Sequence, residues 1–396
     1  MRAENSIYLD YMASTPVDIR VRQVMLECDQ LFFANPHATQ HTLGQLSASA
    51  VENARAKIES LIGAKEEEVI FTSGATEANN HAIASVLFDK AGSNRNIVLI
   101  SAIEHKCVKN AAYFYASKLG FHVEEIPVQS NGIIDLEAYK AMLSDSVALV
   151  CIMAVNNEIG VIQDIKTVAE MAHNVDALFH CDAAQAPETI DIDVQDWNVD
   201  TLSLSGHKIY GPKGIGVLFI KNTLQAQLPP LIHGGGQQGG ARSGTVPTEL
   251  CVGMAKALSL IVENAELNRA KLSTLKETFI EELGNSGIEF VLNGDQKYCH
   301  PGNINVQFKQ VNAPELLGAL QPDISASTGS ACNSEMVLPS HVLKALGLTD
   351  EEALSSMRFS LGRHTEEGQI FDAIEIIKKC FHNLTCRNQP GENIIK

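Results

Sequence analysis

The sequence predicts an α/β protein with a large, mostly parallel sheet covered by helices, followed by a smaller α+β unit. Three observations carry this. Short continuous apolar runs, rich in β-branched residues, alternate with longer segments of helical period, as strands buried on both faces do. Small and polar residues cluster at the ends of several of these runs, where open α/β sheets gather their functional groups. The chain, at 396 residues, exceeds the usual length of one domain and is apolar enough to bury two cores.

Taken in order, the first clear strand is EVIFT (68–72), followed at once by SGATEANN, Ser73 to Asn80, which opens a helix. NIVLISA (96–102), ALVCIMAV (148–155), ALFHCDA (177–183), TLSLS (201–205) and GVLFI (216–220) continue the sheet. After the glycine-rich HGGGQQGGARSG (233–244) the texture changes to one long helical stretch, about Glu249 to Leu283, that leads into the second unit. NINVQF, MRFSL and a closing helix from about Thr365 to Phe381 fit that unit. The expected division is a large domain over 16–250 and a small one formed by 1–15 with 251–396. There is no internal repeat and no low-complexity tract.

A formal charge of −17 without a basic cluster argues against nucleic-acid binding. The opening MRAENSIYLDYMAS lacks the layout of a signal peptide, and no apolar run has the length of a membrane span, so a cytoplasmic protein is expected. Nine scattered cysteines, odd in number and without a C-x-x-C pair, suit reduced thiols better than a disulfide frame or a metal site.

Three polar clusters sit at strand ends. In SGATEANN, small residues let a ligand approach the backbone and the free N–H groups of the helix would bind phosphate; the alternative is an ordinary cap. No P-loop pattern occurs, which disfavours nucleotide hydrolysis. In HCDAAQ, Asp182 ends a buried run and calls for a partner, either a cationic ligand or an arginine of the core. In SGHKIYGPKG, Lys208 ends the next strand behind Ser205 and His207, either as a solvated lysine or as an amine made nucleophilic by desolvation. Lys213 is its rival. An anion site, a buried aspartate and a lysine on adjacent strand ends are together what pyridoxal phosphate requires.

The stretches YLDYMASTP, SGATEANN, EHKCV, VNNEIG, DAAQ, SGHKIYGPKG, RSGT, GSACNS and RFSLGR occur in the order found in cysteine desulfurases of the class V aminotransferase branch, and the chain resembles that family over about 7–367. The resemblance implies a fold type I pyridoxal phosphate enzyme. Lys208 would be the Schiff-base lysine, Asp182 the partner of the ring nitrogen and His105 the residue stacked on the ring. Gln185 and Asn157 would bond the ring hydroxyl or substrate. Ala75, Thr76, Ser205 and His207 would hold the phosphate, joined by Thr245 from the other subunit of a homodimer. Arg358, assisted by Asn35, would bind the substrate carboxylate.

Cys332, in STGSACNSEMVLPS, has small polar neighbours and no regular period, which suggests a mobile loop, whereas Cys151 and Cys251 sit in core-like contexts. The resemblance makes it the nucleophile that takes sulfur from L-cysteine, leaving L-alanine and a Cys332 persulfide for a protein acceptor. A selenocysteine lyase or another class V lyase is the alternative. Members dedicated to iron–sulfur scaffolds commonly carry a longer C-terminal tail than CRNQPGENIIK, so iron–sulfur assembly, tRNA thiolation and DNA sulfur modification all remain open destinations.

Overall fold

The computed structural model describes residues 6–329 and 338–388. After a two-residue strand β1 (Ile7–Tyr8), seven strands build the large sheet: β2 (Val69–Thr72), β3 (Ile97–Ser101), β4 (His122–Ile126), β5 (Val147–Cys151), β6 (Leu178–Asp182), β7 (Thr201–Ser205) and β8 (Gly216–Ile220). Across the sheet they run β2-β8-β7-β6-β5-β3-β4. All adjacent pairs from β7 to β4 are parallel, and β8 is antiparallel to both its neighbours. The carboxyl ends of β3, β5, β6 and β7 therefore open on one edge, and the polar clusters lie there.

Each strand with a continuous apolar run is buried along nearly its whole length, which is why those runs were legible. The strand β4, HVEEI, is an edge strand whose residues alternate between exposed and covered, and it carries no such run. Its Glu125 faces the neighbouring helix, accepting from Lys109 at 2.6 Å and from Tyr113 at 2.8 Å. The run expected over 148–155 leaves the sheet after Cys151. Its remainder folds over the strand ends, with the Ala154 N–H donating to the Asp182 carbonyl at 2.9 Å, and so delivers Asn157 to the crevice.

The turn after β7 explains its own glycines. A Cβ on Gly216 would lie 2.6 Å from the Gly74 backbone, and one on Gly206 would lie 2.7 Å from the Pro212 carbonyl. Only glycine lets the return strand start against the loop that precedes the helix Ala75–Lys90.

The expected single connector is two helices, Thr248–Glu263 and Ala265–Asn285, broken at Asn264, whose side chain donates back to the Leu260 carbonyl. The first buries Cys251, Met254 and Leu258 in the core of the large sheet, and the second buries Leu272, Phe279 and Leu283 in a separate core. That second core also holds the antiparallel sheet of β9 (Phe290–Leu292), β10 (Asn303–Phe308) and β12 (Ser356–Ser360), the short strand β11 (Ile324–Ser325) beside β1, and the closing helix Glu367–Asn388. The N-terminal segment spans both: Leu9 lies in the second core and Tyr11 in the first. No helix among the described residues is long and apolar enough to cross a membrane.

Candidate active site

A cavity of about 570 Å³ opens at the strand ends. Its lining includes Ala75, Thr76, His105, Asn157, Asp182, Gln185, Ser205, His207 and Lys208, residues contributed by five separate parts of the chain.

The helix Ala75–Lys90 points its N-terminus into the cavity, and no side chain caps it at Gly74. Its first N–H groups and partial positive charge thus face the space where an anion would sit. On the opposite side, Ser205 ends β7, and the single turn Gly206–Lys208 carries His207 and Lys208. Lys208 Nζ donates to the carbonyls of Met12 (2.5 Å) and Ala13 (3.0 Å), so the N-terminal segment forms a wall of the site. Burial, then the positive charge of Arg358, brings the Lys208 amine down to about 8, against the pull of Asp182 and Asp10. The His207 imidazole, lowered to about 4 by burial and the two lysines, stays neutral near pH 7, with Nδ1 3.3 Å from Ser14 Oγ. Lys213 also lines the cavity.

Asp182 closes β6 and is 6 % exposed. Its Oδ2 accepts from Asn79 Nδ2 at 2.7 Å and its Oδ1 from the Ala184 N–H at 3.0 Å. Among the described residues no arginine of the core pairs with it; neutral donors position it and its charge faces the cavity. Gln185 Nε2 donates to the Met12 carbonyl at 2.9 Å. His105 caps the helix Lys106–Leu119, its Nδ1 accepting from the Cys107 N–H at 3.1 Å, and burial lowers its pKa.

Arg358 lies on β12 behind the lining, 5 % exposed. Its Nη1 donates to the Asn157 carbonyl and its Nη2 to Asp10 Oδ1, each at 2.6 Å, while buried Nε has no partner among the described residues. Asn35 is exposed, with Oδ1 accepting from the His37 N–H at 2.9 Å, and Thr245 is exposed too; neither lines the cavity of its own chain. Cys332 lies outside the described residues. Before that segment the Ser327 N–H donates to the Arg358 carbonyl at 3.0 Å, and after it Ser340 donates to Glu158 Oε2 and His341 Nε2 lies 2.9 Å from the Glu104 carbonyl.

Sequence reading passed over Asn79, Cys107, His180 and the carbonyls of Met12 and Ala13. Asn79 stood inside the quoted SGATEANN and Cys107 inside EHKCV, yet neither type in a helix signals a site by itself.

Comparison with known proteins decides the family. The family model described as "Aminotransferase class-V" matches residues 7–372. The protein from Rickettsia felis named "Cysteine desulfurase IscS" is 42 % identical over 371 residues, covering 94 % of this chain and 90 % of its own. The chain belongs to the class-V aminotransferases and is a cysteine desulfurase. Among solved structures, one described as "NifS-like protein" superposes on this cysteine desulfurase with a TM-score of 0.88 at 30 % identity, covering 96 % of this chain and all of the other. Another, described as "SspA in complex with cysteine", gives 0.78 at 38 % identity, covering 91 % of this chain and 99 % of its own. The family is one of pyridoxal phosphate enzymes, and its fold is the one seen here.

Proposed function

We propose that this desulfurase holds pyridoxal phosphate in the strand-end cavity, takes L-cysteine as substrate, and receives the sulfur on Cys332 before passing it to a protein acceptor. The observation that carries the reading is the convergence on one cavity of an uncapped helix N-terminus, a buried aspartate with no salt bridge among the described residues and a lysine lowered to about 8. These fit the cofactor group by group. Ala75, Thr76, Ser205 and His207 would hold the phosphate, Asp182 would offer its carboxylate to the ring nitrogen, His105 and Gln185 would contact the ring, and Lys208 would supply the amine. When bound, the cofactor takes up the electron pair left at the substrate Cα.

The protein's own groups do the rest. Lys208 Nζ, neutral in an appreciable fraction of molecules near pH 8, accepts the Cα proton. Arg358, whose Nε–H has no partner among the described residues and whose Nη1 bonds the Asn157 carbonyl, stands on the side from which a substrate carboxylate would be held. Sulfur transfer breaks the Cβ–Sγ bond of cysteine and forms an S–S bond to the Cys332 thiolate. Cysteine and a thiol thereby become alanine and a persulfide, with no external oxidant. The structure described as "SspA in complex with cysteine" supports the substrate. Thr245, exposed and far in sequence from the lining, is in keeping with a contribution to the partner site of a homodimer. Eight described cysteines are all free, as in a reducing cytoplasm.

The test is Cys332→Ser. The cofactor's colour should persist, while alanine formation from cysteine falls about a thousandfold or more, since a hydroxyl accepts no sulfur. Mass spectrometry after a cysteine pulse should place one added sulfur on the Cys332 peptide of the wild type. Sulfur found on another cysteine, or an undiminished rate in the variant, refutes the assignment.

A further inference from the structure

Asn79, in the helix that opens the anion site, is fully buried and sits between three polar groups. Its amide nitrogen lies 2.7 Å from Asp182 Oδ2 and 3.1 Å from Cys107 Sγ. An ionised carboxylate only accepts, so this end must be the NH₂ group. Oδ1 then faces His180 Nε2 at 2.8 Å, which has to donate. His180 Nδ1 accordingly accepts from the Thr201 hydroxyl at 2.8 Å. Burial brings His180 to about 4 against the pull of Asp182, so the ring is neutral and the chain of donors is unambiguous.

The second arm runs through sulfur. Cys107 Sγ accepts from Asn79 and lies 2.9 Å from His105 Nδ1. Burial, reinforced by the charge of Asp182, pushes this thiol up to about 12, so it keeps its proton and donates it to the imidazole. The Cys107 backbone N–H donates to the same nitrogen. A lone pair met by two donors is not a protonation site. The ring proton therefore resides on Nε2, which has no protein partner among the described residues. Of the charges facing the ring, Asp182 favours the imidazolium while Lys208 and Lys106 oppose it, and burial outweighs all three.

We propose that Asn79 and Cys107 are positioning residues that join Asp182 to His105 in one hydrogen-bond chain, orienting the carboxylate and fixing the neutral Nε2–H form of the cavity histidine. The proposal rests on the reading of Asp182 and His105 as cofactor-facing residues. It also gives Cys107 a role other than sulfur carriage: a thiol that holds its proton to about 12 is a poor nucleophile despite lining the cavity.

Nitrogen-15 NMR of the histidine rings tests this in the full chain, with and without pyridoxal phosphate. The wild type should show His105 protonated at Nε2. Cys107→Ala removes one donor to Nδ1 and should raise the His105 titration midpoint by about half a pH unit or more, the size of one hydrogen bond. Cys107→Ser, which keeps an O–H donor, should restore most of the wild-type midpoint. Asn79→Ala should weaken retention of added pyridoxal phosphate about tenfold, because Asp182 loses a donor to its charged form. An Nδ1–H form in the wild type, or the same midpoint in wild type and Cys107→Ala, overturns the proposal. If His105→Ala and Asp182→Ala hold the cofactor as firmly as the wild type, the cofactor reading fails instead, and the titration of the cofactor-free protein still decides the chain itself.

Discussion

The two sides of the crevice are built differently. The floor, with Asp182, Ser205, His207 and Lys208, belongs to adjacent strands of one sheet, and each group is set by the strand or turn it ends. The far wall depends on docking. Arg358 rides on β12 of the second core and meets the first through Asp10 and the Asn157 carbonyl. One side is preassembled by local topology, whereas the other is positioned by packing between units. Substitutions on the floor should therefore disable the chemistry, and substitutions on the wall should mainly weaken the hold on substrate.

The largest expected effect is on the floor. Lys208→Ala removes the amine proposed to carry the Cα proton and should lower kcat for alanine formation by about a hundred- to ten-thousandfold. Steady-state kinetics on cofactor-supplemented protein measures this. If Lys213→Ala is crippled instead, the lysines have been assigned in the wrong order.

A smaller effect, of another kind, is expected on the wall. Arg358→Ala should raise KM for cysteine about ten- to hundredfold and lower kcat much less, the loss of charged hydrogen bonds to a carboxylate. Arg358→Lys should recover little, because one ammonium cannot replace a two-nitrogen fork that also holds Asp10. A loss confined to kcat would erase the distinction between the two sides.

The smallest effect concerns stability. The Lys208 amine titrates at about 8 when folded and at its ordinary value of 10.5 when unfolded. Below pH 8 both states carry the proton and the fold bears the full cost of burying the charge; between about 8 and 10.5 the unfolded state binds more protons, so stability rises with pH. Cofactor-free Lys208→Met should thus unfold at a higher temperature than wild type at pH 7, with the gap closing as the pH approaches 10. Calorimetry showing a constant gap would mean that the lysine is not desolvated.

Much of the floor was readable because a parallel strand buried on both faces writes itself as an unbroken apolar run, and the first polar residue after it is at the crevice. Asp182 closes one such run, and Lys208 stands three residues past the end of another. The edge strand β4 was not readable in this way, since water on one side permits glutamates within it. Nor was the break at Asn264, where both flanking segments keep helical period while packing on different cores. The motifs also carried Arg358, although no local pattern distinguished it from an ordinary ion-pairing arginine.

By itself the sequence determined the α/β architecture, the strand ends where polar groups gather and, through nine ordered motifs, the family. Those features are local, fixed by the hydrophobic period and by the residues that follow each strand. Tertiary structure alone decided the partners of those groups. The Met12 and Ala13 carbonyls reach Lys208 across nearly two hundred residues, and Asn79 meets Asp182 across about one hundred. The lowered amine of Lys208 follows from this enclosure, because desolvation and nearby charge are properties of the assembled crevice that a residue does not possess along the chain.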